Sequence, residues 1–363
     1  KTDHTDTLVK ICRRPKAERQ NWMEHIRWLM QQDLDSLNIA RPVARIVSPQ
    51  PGYVMELMDG LQPLQALIEE TEIALQEQDI QSYLDQGGIR RRLILLAKLA
   101  RTLAKLHGRG MAFGDLSPAN IFISKDPTHS EVWLIDCDNI CVNQRVSYDI
   151  PKQPLGSPSA LYTKSYGAPE IVKGEEMISS LTDIWSFAII AFRLLTAIHP
   201  FIGDTVSDGE PELEEEAFKG ALPWVDHPND SSNRTTIGLP RDIVALKPLA
   251  DLFEQCFNAG RDAPAFRPSF NEWAEKLEHI SEWLVDCPSC NSSYYYTPKS
   301  GVLECSFCET RADSKSLLFL RHYLFDRSIL EIEDAATSDC LVDTGLRQVL
   351  NLDSKITVKT SPP

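Results

Sequence analysis

The stretch that most constrains this chain runs from Met111 to Asn139 and reads MAFGDLSPANIFISKDPTHSEVWLIDCDN. Asp115 is followed five residues later by Asn120, and Asp136 comes after a short strand, a turn and a second strand. The apolar runs I-F-I and V-W-L-I supply those strands, so the three polar side chains fall at strand or loop ends. Asn120 and Asp136 are two candidate metal-binding side chains, and Asp115 is a candidate base.

With 363 residues and 42% hydrophobic content, the chain can build two or three domains with real cores. A formal net charge of −15 excludes a general nucleic-acid binder, whose footprint would be basic. Protein or nucleotide partners are expected instead. No run reaches the roughly 18 apolar residues of a membrane span. The closest, Ile184 to Leu195, contains Arg193 and reads as a buried helix. Four of the nine cysteines form two C-x-x-C pairs and the others are scattered through apolar runs, which suits a reducing cytoplasm better than a disulfide framework. The sequence begins at Lys1 without Met, so an upstream signal or anchor stays open.

The central stretch resembles the catalytic loop and metal-binding Asp of protein kinases, here as D-L-S-P-A-N and D-C-D. The resemblance extends from about Thr7 to Trp273 through ordered landmarks. Thr7 to Cys12, TLVKIC, alternates as a strand and is similar to the V-A-I-K strand, which makes Lys10 the residue that grips nucleotide phosphates. The family's glycine-rich phosphate loop belongs immediately upstream, before the sequence starts. Apolar residues Trp22, Met23, Ile26, Leu29 and Met30 mark a helix. Glu24 on it is the expected ion-pair partner of Lys10, with Glu18 as the fallback. In GYVMEL, Met55 takes the gatekeeper place and Glu56 to Met58 the hinge that would hold adenine.

Further along, L-A-K-L-H-G-R-G-M-A-F-G-D is similar to the family's passage from a long helix into the catalytic loop, with His107 structural. Gly167-Ala-Pro-Glu170 matches the A-P-E landmark that closes an activation segment running from Asp136. Thr163, seven residues before that Glu, stands where Ser/Thr protein kinases place a hydroxyl that bonds the catalytic Asp, which argues for a protein substrate. Asp183 in T-D-I-W-S-F resembles the buried carboxylate that caps the catalytic loop, since a buried acid needs such partners. Arg267 in R-P-S-F would pair with Glu170. Between them, the acids from Asp204 to Glu216 read as a solvated loop, or more sharply as a docking site for basic substrates.

Four departures from the family's pattern involve five residues. Gly114 replaces Arg before the catalytic Asp, which implies activity independent of activation-loop phosphorylation. Ser117 replaces a Lys that touches the γ-phosphate, removing a transition-state clamp. Phe113 and Cys137 exchange a bulky and a small residue, so the two are expected to touch. Asp138 takes a Gly position and is expected as a solvated carboxylate, with an extra metal ligand as the alternative.

After the kinase-like region, Cys287-Pro-Ser-Cys290 and Cys305-Ser-Phe-Cys308 carry the spacing of a four-cysteine zinc ribbon, a closed and therefore structural site. Beyond it LLFLRHYLF, ILEIE and KITVKT alternate as strands. The expected architecture is α+β: a kinase-like bilobal fold with a small β-rich lobe over 1–58 and a mostly helical lobe over 59–284, a ribbon over 285–312 and a β-rich tail over 313–363.

The whole looks like a bacterial eukaryotic-like Ser/Thr kinase. The ribbon and the S-P-A-N variant make it similar to the kinase of the tellurite-resistance-associated triad, whose other members are a von Willebrand A protein and a PP2C-type phosphatase. That resemblance implies ATP, Mg2+ and structural Zn2+, with Asp115 as base, Asn120 and Asp136 on Mg2+, and Lys10 on the phosphates. A nucleotide-binding pseudokinase scaffold and a small-molecule kinase stay open beside it.

Overall fold

A computed structural model describes residues 7–56, 58–143, 162–296, 303–312, 317–325 and 341–351. Its first unit is a three-stranded antiparallel sheet of β1 (Thr7–Ile11), β2 (Ala44–Ile46) and β3 (Gly52–Glu56), in the order β1-β3-β2 with Lys10 opposite Tyr53. Helix α1 (Arg19–Leu29) lies between β1 and β2 in sequence and buries Trp22, His25, Ile26, Trp28 and Leu29. Those positions share one face at 3.6 residues per turn. Trp22 and Ile26 cluster with Tyr53 and Cys12.

Next come β4 (Leu61–Pro63), α2 (Leu64–Gln76), α3 (Ile80–Asp85) and the long α4 (Gly88–Gly108). Gly87 enters α4 in the left-handed region at φ 90°, where an added Cβ would come within 2.7 Å of the Arg91 side chain. Two small antiparallel assemblies then shape the central stretch. β5 (Met111–Ala112) pairs with β8 (Cys141–Val142), while β6 (Ile121–Ser124) sits between β4 and β7 (Val132–Leu134). The β5–β8 pairing closes the whole segment between Phe113 and Ile140 into one loop-rich unit.

The helical part follows with α5 (Pro169–Val172), α6 (Ser180–Thr196), α7 (Asp204–Ser207), α8 (Pro211–Phe218), α9 (Arg241–Val244), α10 (Lys247–Phe257), α11 (Ala259–Asp262) and α12 (Phe270–Ser281). Only Ser180, Leu181 and Arg193 of α6 escape full burial, as its apolar composition predicts for a helix through a core. Trp185, Phe187 and Phe192 on α6 meet Phe201, Phe253, Phe257, Phe270 and Trp273 at centroid distances of 5.2–6.3 Å. The acidic segment from Asp204 to Glu216 is helical in α7 and α8, with its carboxylates solvent-facing, and is not the loop its charge density suggested.

The C-terminal region holds β9 (Leu284–Asp286) paired with β10 (Ser293–Tyr295), β11 (Leu303–Glu304) paired with β12 (Arg311–Ala312), and β13 (Leu317–Phe325) paired with β14 (Leu341–Asn351). LLFLRHYLF is β13, whereas ILEIE and KITVKT lie outside the described residues. β14 is a strand that the sequence reading missed, because Gly345 and a mixture of charged and apolar residues hide any period of two. Among the described residues no helix is long and apolar enough to cross a membrane.

Candidate active site

Asp115, Asn120 and Asp136 are set in place by backbone bonds. Asn120 Nδ2 donates to the Asp115 carbonyl at 2.8 Å, which leaves its amide oxygen for a ligand. The Ile135 N–H donates to the Asn120 carbonyl at 2.9 Å, so Asn120 is tied to the residue before Asp136. Asp136 itself is left-handed at φ 61°, ψ 42°. Only about a few per cent of non-Gly residues occupy that region, and strain of this kind concentrates at functional sites. The Asp136 side chain is 34% exposed, open enough to meet a ligand.

Beneath the loop, Asp183 is buried and accepts from the Phe113 N–H at 2.6 Å, the Gly114 N–H at 2.9 Å and His107 Nε2 at 2.9 Å. Three donors around one buried carboxylate satisfy it and fix the backbone just before Asp115. Gly114 is required here. It adopts φ 93°, and a Cβ would stand 2.7 Å from the Asn139 carbonyl oxygen. The absent Arg is thus also a steric matter: the loop passes too close to the Asp136 segment for any side chain. Phe113 and Cys137 are both fully buried in the same core, and burial pushes the Cys137 thiol well up.

Thr163 Oγ1 donates to Asp115 Oδ1 at 2.9 Å. The segment that carries it is pinned from below. Ser186 Oγ and His199 Nε2 bond the carbonyls of Tyr166 and Ser165, each at 2.8 Å. Arg193 donates to the Tyr166 hydroxyl at 2.8 Å and forks onto Glu72 at 2.7 and 3.1 Å. Glu170 and Arg267 form a buried bidentate pair at 2.7 and 2.8 Å, with Arg267 also donating to the Gly260 and Leu181 carbonyls. Residues 144–161 of the activation segment lie outside the described residues.

Lys10 does not meet Glu24. Its Nζ lies 2.8 Å from Asp136 Oδ1 and 2.6 Å from Asp138 Oδ1. Glu24 bonds Arg27 and Gln20 on the outer face of α1, and Glu18 is exposed ahead of the helix. The reason is helical phase. Trp22 and Ile26 pack inward, and two residues at about 100° each carry Glu24 to the far side.

Asp138 takes the place expected of Glu24 and is buried, not solvated. It also accepts from Trp22 Nε1 at 3.0 Å and the Tyr53 hydroxyl at 3.3 Å. Burial pulls the Lys10 pKa down, but Asp138 and Asp136 outweigh it and hold the ammonium above its ordinary range. The sequence marks Trp22 only as an apolar helix residue and does not single out Tyr53 within GYVMEL; the polar tips of both side chains are the signal available there.

Glu56 ends β3 exposed and Met58 is half-buried, while Leu57 between them lies outside the described residues. Ser117, at the position of the missing Lys, is buried.

In the C-terminal region the four sulfur atoms of Cys287, Cys290, Cys305 and Cys308 lie within 4.8 Å of one another. Two pairs stand 3.5 and 3.7 Å apart. A tetrahedral ion with bonds of about 2.3 Å to sulfur needs S···S edges of about 3.8 Å, so the cluster is compatible with Zn2+. The two knuckles repeat one geometry. In each, the first Cys accepts at Sγ from the N–H two residues on, at 3.4 Å, and the residue after the second Cys is left-handed, Asn291 at φ 56° and Glu309 at φ 59°.

The protein kinase domain family matches residues 3–276 of this chain. Among curated proteins, a rice protein kinase and PP2C-like domain-containing protein (Oryza sativa subsp. japonica) is 25% identical over 71% of this chain and 37% of its own length. Myosin light chain kinase A of Dictyostelium discoideum is 30% identical over 34% of this chain and 38% of its own. The serine/threonine-protein kinase pkn2 of Myxococcus xanthus is 32% identical over 31% of this chain and 13% of its own. The chain thus spans less than two-fifths of each of these relatives.

Proposed function

The chain belongs to the protein kinase family, and from that premise we propose that it transfers the γ-phosphoryl group of ATP to Ser or Thr hydroxyls of protein substrates. The observation that carries this reading is the hydrogen bond from Thr163 to Asp115. It holds one carboxylate oxygen of Asp115 and orients the other toward an incoming hydroxyl, whose proton Asp115 accepts or directs. Pinning of Tyr166 by Ser186 of α6 and of Ser165 by His199, just beyond that helix, gives that hydroxyl a rigid platform.

Asn120 and Asp136 fit a Mg2+ ion, because each offers an oxygen and neither crowds the site with a full protein cage. When bound, Mg2+ supplies charge neutralisation of the phosphate oxygens. Lys10 binds and orients the phosphates, and Glu56 to Met58 hold adenine. The two-lobed arrangement, divided at residues 58 and 59, is part of this reading. Because Gly114 offers no cation to a phosphorylated loop, activity is independent of that modification.

A structural Zn2+ in the four thiolates is supported by the matched knuckles and requires reduced cysteines, which favours the cytoplasm. A PP2C-type phosphatase partner draws support from the rice relative, whose name joins the two domains. A von Willebrand A partner rests on the resemblance of the ribbon and the S-P-A-N loop.

A second reading, a nucleotide-binding pseudokinase scaffold, is favoured by one observation, the buried Ser117 where a phosphate-touching cation would stand. Mg-dependent incorporation of labelled γ-phosphate into a Ser/Thr-rich basic protein separates the two. The first reading expects incorporation, abolished in Asp115→Asn and Asp136→Ala. Nucleotide binding with no transfer selects the scaffold, and transfer to sugars or aminoglycosides but never to protein selects a small-molecule kinase.

A further inference from the structure

Lys10 needs a carboxylate to hold it over the nucleotide, and the described part of α1 offers none on its inner face. The acidic residue inside the helix, Glu24, points outward to Arg27. Asp138 is 2.6 Å from Lys10 Nζ, buried, and clamped by Trp22 Nε1 on its second oxygen and by the Tyr53 hydroxyl on its first. Asp136 shares Lys10 at 2.8 Å, but its partly exposed carboxylate is the one open to a metal ion. We propose that Asp138 is the positioning residue for Lys10, which keeps the ammonium in place when Asp136 turns to Mg2+.

This rests on the phosphoryl-transfer reading and changes how the site is controlled. Asp138 and Asp136 share one short turn, so the loop that carries the metal ligand also carries the carboxylate that holds the cation. Movement of α1 then breaks a neutral indole hydrogen bond, and the ion pair itself survives. The arrangement needs every partner it has. Tyr53 sits opposite Lys10 in the β1–β3 register, and Trp22 lies with its ring centroid 5.8 Å from that of Tyr53, so three elements converge on one carboxylate. A side chain at position 138 is therefore the counterpart of a missing acid on α1.

The test is the affinity of the full chain for a fluorescent ATP analogue with Mg2+, measured for Asp138→Asn, Asp138→Ser, Glu24→Gln and Lys10→Met, with far-UV circular dichroism confirming the fold of each. At least a tenfold weaker affinity is expected for either Asp138 variant and less than twofold change for Glu24→Gln. In a double-mutant cycle, adding Asp138→Asn to Lys10→Met should cost nothing further, because the two residues act as one unit. The serine variant removes the carboxylate without placing amide donors beside Lys10 and Trp22, and keeps the test readable if the asparagine variant unfolds.

Wild-type affinity in both folded Asp138 variants overturns the inference, as does full additivity with Lys10→Met. A wild-type chain that binds no nucleotide overturns the phosphoryl-transfer reading itself, an outcome separate from the other two.

Discussion

Gly114 and His199 show how single residues set the conditions of this site. At Gly114 a Cβ would press on the Asn139 carbonyl while the backbone holds φ 93°, so Gly114→Ala strains the turn twice over. It should destabilise the fold by about 1–3 kcal/mol and lower phosphoryl transfer, read by urea denaturation and by labelled phosphate incorporation. His199 is neutral by construction. Its Nε2–H donates to the Ser165 carbonyl at 2.8 Å and its Nδ1 accepts from the Phe201 N–H at 3.2 Å, an arrangement a second ring proton would break. Burial holds its pKa down to about 4. Between about pH 6.5 and 4 the unfolded chain therefore binds a proton that the folded chain refuses. Stability from this group is complete above about pH 6.5 and lost as pH falls toward 4, an effect on the order of a few kcal/mol. Thermal melts across that range should show a shallower acid slope in His199→Gln than in the wild type.

Helix α6 organises the elements around the site. Its Asp183 holds the loop before Asp115, its Ser186 and Arg193 hold Tyr166, and Arg267 reaches the Leu181 carbonyl near its start while pairing with Glu170. Because the Arg267–Glu170 pair is buried and bidentate, removing one partner leaves a charge without compensation. Arg267→Met should cost about 3–5 kcal/mol, visible as a lower unfolding midpoint with an unchanged denaturant slope. The long helices α4 and α6 were legible in the sequence, α4 because its apolar residues recur with helical spacing over many turns and α6 because it is apolar nearly all round. The acidic segment was not, since its short helices α7 and α8 form against neighbours and carry little pattern of their own. Helix α1 was legible as a helix, but its rotation about its own axis was not, and that rotation decided which side chain faces Lys10.

At the scale of the molecule, the cysteine-bearing region is docked against the helical part. Arg90 on α4 donates to Asp286, Ser293 and the Leu284 carbonyl, Phe307 stacks on Tyr83 with ring centroids 6.1 Å apart, and Tyr83 lies beneath the buried Arg92 guanidinium at 4.2 Å. Helix α4 runs from this contact toward the loop that bears Asp115, so the order of the cysteine cluster and of the candidate site share an element. One zinc per chain is expected by elemental analysis of the full-length protein, lost in Cys305→Ser. Chelation should lower the melting temperature by several degrees, whereas Phe307→Ala should keep the metal and lose part of that stability. A melting curve indifferent to chelator in a zinc-loaded sample would break the link between the cysteine cluster and the helical part.

The sequence by itself determined the order and spacing of Asp115, Asn120, Asp136, Thr163, Glu170 and Arg267 and the two C-x-x-C knuckles, because such landmarks are local patterns written in short runs of residues. Only the tertiary structure decided that Lys10 pairs with Asp138, because that bond spans 128 residues and depends on how Trp22 and Ile26 of α1 seat against Tyr53. Seating of that kind is a matter of packed side chains from three elements at once, and no single stretch of sequence contains it.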